Sequence, residues 1–155
     1  MAAGILLTLL TFIGMEGITW LTHKYLMHGS LWLLHADHHQ PDPSSFFEKN
    51  DLFFVIFAVP AILLFALGTY AEGFHFLFFI GLGISIYGAA YFVVHDIIIH
   101  QRFRIFTRSR NFYVRAIRKA HKIHHKHLGK EEGECFGMLW VPLRYFREAL
   151  NNPAR

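Results

Sequence analysis

The stretch from Phe74 to His100, FHFLFFIGLGISIYGAAYFVVHDIIIH, decides how this chain is built. It is apolar from Phe74 to Ile99, broken by His75, His95 and Asp96, and it closes on two histidines five positions apart. A bilayer core about 30 Å thick takes roughly 20 helical residues. The stretch is too short for two full crossings, so it predicts one long tilted helix that runs past the interface and carries His95 and His100 there.

Two more runs share this character. Gly4 to Leu21 is interrupted by Glu16 and small polar residues, and Leu52 to Tyr70 contains Pro60, which a kinked membrane helix accommodates. The expectation is three spans, at about 4–22, 52–71 and 74–99. The first run lacks a basic leader and a small-residue cleavage site, and it leads without a break into His23 and His28. A retained helix is therefore expected rather than a cleaved signal. Nothing resembles an organelle transit peptide.

Composition agrees. Of 155 residues, 54% are hydrophobic and 17% aromatic, while 17% are charged, against roughly 25% in soluble domains. The length suits one membrane-embedded domain over residues 1–155. The single cysteine, Cys135, excludes an internal disulfide and a cysteine-rich zinc or iron–sulfur site. A metal must then be held by imidazole and carboxylate, and there are twelve histidines.

Basic residues give the orientation. None precedes Lys24 and none lies between Leu52 and Ile99. The positive-inside rule puts segments 23–51 and 100–155 in the cytoplasm, with the N-terminus and the turn at Glu72 outside. Within those segments, the region from His28 to Asp51, with Pro41, Pro43, Ser44 and Ser45, reads as a loop. Residues 111–126 read as a helix, from the spacing of Phe112, Ala116, Ile117, Ala120 and Ile123. Trp140, Tyr145 and Phe146 are expected at the membrane surface. The basic stretch from Arg102 to Lys130 fits anionic headgroups or, as a sharper alternative, a docking face for an acidic electron donor. Nucleic acid is a poor partner for a chain that spans a bilayer.

Ten histidines fall into paired boxes: His23 and His28; His35, His38 and His39; His95 and His100; His121, His124 and His125. On a regular helix each residue turns about 100°. Histidines at i, i+3 and i+4 share a face and can converge on a metal. Those five apart lie about 140° apart. They bind two different metals, or one metal where the helix loosens at its end. Both five-residue pairs close spans that end on the cytoplasmic side, and the other two boxes lie in cytoplasmic segments. Without metal, so many packed imidazoles would leave buried nitrogens without partners. The pattern predicts an all-α membrane bundle with a cytoplasmic histidine-box metal site. Asp37 and Asp96, inside boxes, are candidates to accept a hydrogen bond from a ligand imidazole, or else to cap a helix. Glu16 is an ionisable group inside a span, where such groups are often functional. His75 and His127 fall outside the boxes and are expected not to be ligands.

The boxes and their flanking words resemble the fatty acid hydroxylase superfamily of membrane di-iron enzymes, and within it the bacterial non-haem β-carotene 3-hydroxylases. The matching words are Met15 to His28, His35 to His39, Phe47 to Leu52, His95 to Arg102, Ala120 to His125, and Phe136-Gly137. The likeness covers nearly the whole chain. It implies hydroxylation at C3 of both β-ionone rings, giving zeaxanthin via β-cryptoxanthin. It also implies two non-haem irons, O₂ as co-substrate, a ferredoxin-type donor, a carotenoid taken from the bilayer and a bacterial inner-membrane location. Imidazole suits iron, and also zinc. A carotenoid ketolase, or a lipid hydroxylase or desaturase, would use similar boxes, so product analysis separates them. A metal transporter would place its site near the midplane. Oligomeric state has no signature in this sequence.

Overall fold

The computed structural model describes residues 1–103, 105 and 107–152. Arg104 of the basic stretch, and the last three residues of the segment 100–155, lie outside the described residues. Among the described residues the chain is helical without strands. Helix α1 spans Ala2–Leu21 and continues into a π-helical segment, π1, Thr22–Ser30. Helix α2, Trp32–His39, follows, and a short 3₁₀ turn, Lys49–Asp51, leads into α3, Leu52–Tyr70. Helix α4, Phe76–Tyr91, runs into a second π segment, π2, Phe92–Ile99. Helices α5, Phe112–His124, and α6, Leu143–Asn151, complete the order.

Three continuous helical stretches, Ala2–Ser30, Lys49–Tyr70 and Phe76–Ile99, are long and apolar enough to cross a membrane. The last, 24 residues, reaches about 36 Å at 1.5 Å per residue, which matches one tilted crossing. Ile5, Leu9, Ile13, Val55, Val59, Ile62 and Leu63 point outward, as side chains that face lipid do. The chain is an integral membrane protein. Pro60 sits inside α3 without ending it.

Helix α4 packs against both α1 and α3. Small residues permit the approach. A Cβ on Gly83 would meet the Thr8 carbonyl oxygen at 2.8 Å, and one on Gly81 would meet the Ala61 carbonyl oxygen at 3.0 Å. Thr8 Oγ1 also donates across to the Phe79 carbonyl at 3.2 Å.

The polar segments are more ordered than the sequence reading expects. The region from His28 to Asp51, read as a loop, contains the rest of π1, all of α2 and the 3₁₀ turn. The Glu48 and Asp51 carboxylates exchange capping bonds with backbone amides there. Helix α6 went unread, and it corrects the placement of Tyr145 and Phe146 at a membrane surface. Tyr145 is buried with Ala116, Ile117, Ala120, Val141 and Ala149, and Phe146 packs against that cluster. Tyr145, Ala149 and the Phe146 ring face α5 because residues three and four apart share a helix face. Trp140 is exposed. Asn111 caps α5, its side-chain oxygen accepting from Tyr113 N at 2.8 Å. Arg118 Nε donates to the Ile98 carbonyl at 2.7 Å, tying α5 to π2.

Candidate metal centre

The five-residue spacing is resolved by the backbone. In π1 and π2 the hydrogen bonds reach back five residues, as from Leu31 N to Leu26 O and from His100 N to His95 O, both 2.8 Å. Residues five apart then stack on one face. The His23 and His28 ring centres lie 5.3 Å apart, and those of His95 and His100 lie 4.5 Å apart. At Gly29 (φ −121°, ψ −115°) the chain turns out of π1 towards α2.

Nine of the ten box histidines fall into two groups. In each, one donor atom per residue lies within 4.8 Å of all the others: His23, His28, His35, His39 and His124 form the first, and His38, His95, His100 and His121 the second. His125 touches both. Its Nε2 is 2.9 Å from that of His121, and its ring stacks on His39 at 4.5 Å. Each three-histidine box therefore divides between the groups instead of closing on one point. Adjacent residues on a helix diverge by about 100°, so His38 and His39, like His124 and His125, look in different directions.

Seven of the outer nitrogens are held. His23 Nδ1 meets the Phe136 carbonyl at 3.0 Å, His28 Nδ1 that of Lys130 at 3.1 Å, His39 Nδ1 that of His127 at 2.8 Å, and His124 Nδ1 that of Glu134 at 2.8 Å. His35 Nδ1 bonds Asn50 Oδ1 at 2.7 Å, His38 Nδ1 bonds Glu48 Oε2 at 2.7 Å, and His95 Nδ1 lies 3.2 Å from Asp96 Oδ2. Asp96 thus meets an imidazole, whereas Asp37 accepts the Lys49 amide. Arg102 bridges Asp51 and Asp96, each at 2.9 Å. Sequence reasoning missed Glu48 and Asn50. The motif Phe47-Glu-Lys-Asn-Asp-Leu52, polar residues gathered at the mouth of a span, was the available signal. The carbonyls of residues 127–136 carry no side-chain signal at all.

This arrangement fits a cation. A carbonyl oxygen only accepts, so the Nδ1 facing it carries the proton and the neutral ring's Nε2 presents a lone pair. His28 and His124 are both held this way, and their Nε2 atoms face each other at 3.2 Å. A proton shared between them is opposed by burial and by the neighbouring imidazoles, which push His124 down to about 2. Burial likewise takes His35 and His125 to about 3 and His39 to about 4, and holds His38, His100 and His121 well below their ordinary value. Two facing lone pairs need a positive ion between them. The buried Nε2 atoms of His38 and His39, one in each group, likewise have no hydrogen-bond partner. The donor set is imidazole nitrogen, suited to iron or zinc.

An apolar cavity of about 670 Å³ opens from the groups into the bundle. His23, His95 and His121 stand at one end, and Phe53, Phe57, Ala61, Ile84, Tyr87 and Phe92 from α3, α4 and π2 line the rest, with Met15 from α1. Phe53, Phe57 and Phe92 set three aromatic rings along it. His75 is remote, its Nδ1 bonded to the Gly68 carbonyl at 3.1 Å.

Apolar spans, an apolar cavity inside the bundle and a buried imidazole cluster define a helical membrane protein with a candidate metal centre. Residues 8–143 match the fatty acid hydroxylase family, and the chain belongs to it. More particularly, it is 44% identical over 137 residues to the β-carotene hydroxylase of Pantoea ananas, covering 88% of this chain and 77% of that one. It is 37% identical to the β-carotene hydroxylase of Paracoccus sp. (strain PC1), covering 88% and 83%. It is 39% identical to the chloroplastic β-carotene 3-hydroxylase of Gentiana lutea, covering 84% and 40%. No solved structure matches the chain.

Proposed function

We propose that residues 1–155 form one membrane-embedded di-iron hydroxylase that converts β-carotene to zeaxanthin via β-cryptoxanthin. The observation that carries this reading is an apolar cavity ending on two imidazole groups, in a chain similar to named β-carotene hydroxylases. One iron would sit among His23, His28, His35, His39 and His124, the other among His38, His95, His100 and His121, with His125 between them. Bound there, the irons would supply the reductive activation of O₂ that side chains cannot perform. Each hydroxyl formed consumes one O₂, two electrons and two protons and releases one water. The electrons would come from a ferredoxin-type donor.

The protein's part is positioning. A carotene is a long apolar rod, and leaving the bilayer would forfeit about 25 cal/mol for each Å² of buried apolar surface. Phe53, Phe57, Ile84 and Phe92 offer it an equivalent surface inside the bundle. One ring is thereby brought towards His23, His95 and His121, while the polyene stays among the helices or in lipid. Rigid seating of that ring selects C3 among its C–H bonds. Glu48, Asn50, Asp96 and the tail carbonyls hold seven of the ten imidazoles by the outer nitrogen, fixing tautomer and direction. The distribution of Lys and Arg supports a metal site on the cytoplasmic face, and the similarity to bacterial hydroxylases supports an inner-membrane location. In that topology, labelled cysteines at Ser44 and Glu72 react from opposite sides, and reaction from one side would overturn it.

Purified chain supplied with iron, a reducing system and β-carotene should form β-cryptoxanthin first and zeaxanthin second. A C4 ketone, or hydroxylated fatty acid beside untouched carotene, would refute the assignment of substrate and position. Turnover with zinc alone would refute the iron.

A further inference from the structure

Glu16 lies inside the first span, away from the histidines, yet it holds the segment that aims them. Three consecutive amides, Met138, Leu139 and Trp140, donate to its Oε1 at 3.0, 3.0 and 2.9 Å. Its Oε2 accepts from the Tyr87 hydroxyl at 2.6 Å, and Tyr87 Oη lies 2.7 Å from Thr19 Oγ1. Successive amides turned onto one oxygen make an anion-binding nest, and here the anion belongs to a transmembrane helix. The nest begins two residues beyond Phe136, whose carbonyl takes His23 Nδ1. Upstream, the Glu134 and Lys130 carbonyls take His124 and His28. The Phe136 ring lies edge-on to the same three imidazoles, at 5.2 to 5.4 Å.

Two backbone features show that this segment is held to its place. Cys135, between the carbonyls that meet His124 and His23, has φ of 62°. That left-handed conformation is unfavourable for a side chain bearing Cβ and persists where the surroundings impose it. At Gly137 a Cβ would stand 2.2 Å from the Trp140 carbonyl oxygen and 3.3 Å from Glu16 Oε1, so the nest closes only around glycine.

We propose that Glu16 is a positioning residue for the first imidazole group, acting through the 130–140 segment. This rests on the metal reading given above. By gathering the amides of residues 138–140 it fixes the carbonyls of 130, 134 and 136, and through them the tautomer and direction of His28, His124 and His23. The second group, in which Glu48 holds His38 and Asp96 meets His95, lies outside this chain of contacts. The role requires an acceptor oxygen rather than a charge. Gln at 16 can keep its carbonyl oxygen on the amides, while Tyr87 turns its proton to Thr19.

The test uses full-length protein in detergent, loaded anaerobically with ferrous iron. Metal content and hydrogen exchange over residues 136–141 are compared in unsubstituted, Glu16→Ala, Glu16→Gln and Gly137→Ala chains. Glu16→Ala and Gly137→Ala should each hold about half the iron of the unsubstituted chain, with faster exchange at the three amides. Glu16→Gln should restore both readouts. Should Glu16→Ala destabilise the fold, Gly137→Ala, which leaves the carboxylate in place, reads the same segment. Normal iron and exchange in Glu16→Ala, or equal loss in Glu16→Gln and Glu16→Ala, would overturn the proposal while leaving the metal centre standing. An unsubstituted chain that binds no iron would remove the metal reading and this one together.

Discussion

The two imidazole groups are built from the same elements and held in different ways. Each is founded on a π-helical pair, His23 with His28 and His95 with His100, and each draws further rings from α2 and α5. In the first group four outer nitrogens face backbone carbonyls of residues 127–136 and the fifth faces Asn50. In the second, His38 and His95 face the carboxylates of Glu48 and Asp96. A carboxylate partner makes an imidazole a stronger donor than a carbonyl does. Duplicated spacing has therefore produced two chemically unequal halves, one tied to the chain's tail and one to an acidic cluster around Arg102.

The largest expected effect tests whether both halves are needed. His28→Ala and His100→Ala each remove one ring from one group. Each should abolish turnover and leave about one metal where the parent holds two, as measured by product chromatography and elemental analysis. Full activity in either variant would mean that one group alone does the chemistry. A step lower come the outer partners, whose loss in metal sites typically costs about 10–100-fold in affinity or activity. Glu48→Gln should weaken one metal by that order, and Asn50→Ala should weaken the other. Burial raises the Glu48 carboxyl to about 7, against the pull of Arg102, with Asp51, Asp37 and Asp96 adding to the rise. If Glu48→Gln released both metals equally, the halves would be one site.

The metal-free protein should also report on both halves through pH. The box imidazoles of His35, His38, His39, His100, His121, His124 and His125, all outside the spans, have folded-state values below the unfolded 6.5, for example about 4 at His39 and about 3 at His35. The unfolded chain then binds more protons below pH 6.5. Stability is complete above that pH and falls as pH drops towards 4 and beyond. Each such ring contributes a slope of at most about 1.4 kcal/mol per pH unit. Removing one ring from either group, as in His39→Ala or His100→Ala, should flatten the acid limb of a thermal melting series. An unchanged limb would show that the rings are not held neutral.

How far these halves were legible follows from where the information resides. The three spans are written in side-chain hydropathy, and the ten box histidines in side-chain identity, so both could be read directly. The pairing of His23 with His28 was open, because spacing alone does not say whether a helix end is α or π. The division of His38 from His39 was hidden for a related reason. Sharing a helix face is a coarse criterion, and a 100° divergence is enough to separate adjacent rings between two centres. The tail was the least legible part. Its contribution to the first group is made by carbonyl oxygens, which every residue has, and by the conformations at Cys135 and Gly137 that aim them. Helix α6 was within reach, since Tyr145 and Ala149 stand four apart, but Tyr145 was read as an interfacial aromatic instead of one face of a helix.

The smallest expected effect isolates that backbone contribution. His127 adjoins a box, and its ring is half-buried, with Nδ1 4.0 Å from an exposed Glu132 carboxylate. An exposed pair at that distance contributes little. Its carbonyl, by contrast, accepts from His39 Nδ1 at 2.8 Å, and its amide meets the His124 carbonyl at 3.3 Å. Both bonds belong to the backbone and survive any substitution that leaves the turn intact. His127→Ala should therefore keep both metals and lose less than about twofold in turnover, a change within the ±0.5 kcal/mol usual for surface substitutions. His39→Ala, which removes the ring that this carbonyl holds, should lose turnover altogether. A His127→Ala protein short of one metal would make the ring itself a ligand. The first group would then have one more imidazole than the backbone geometry assigns to it, and the contrast between a carbonyl-held and a carboxylate-held half would weaken.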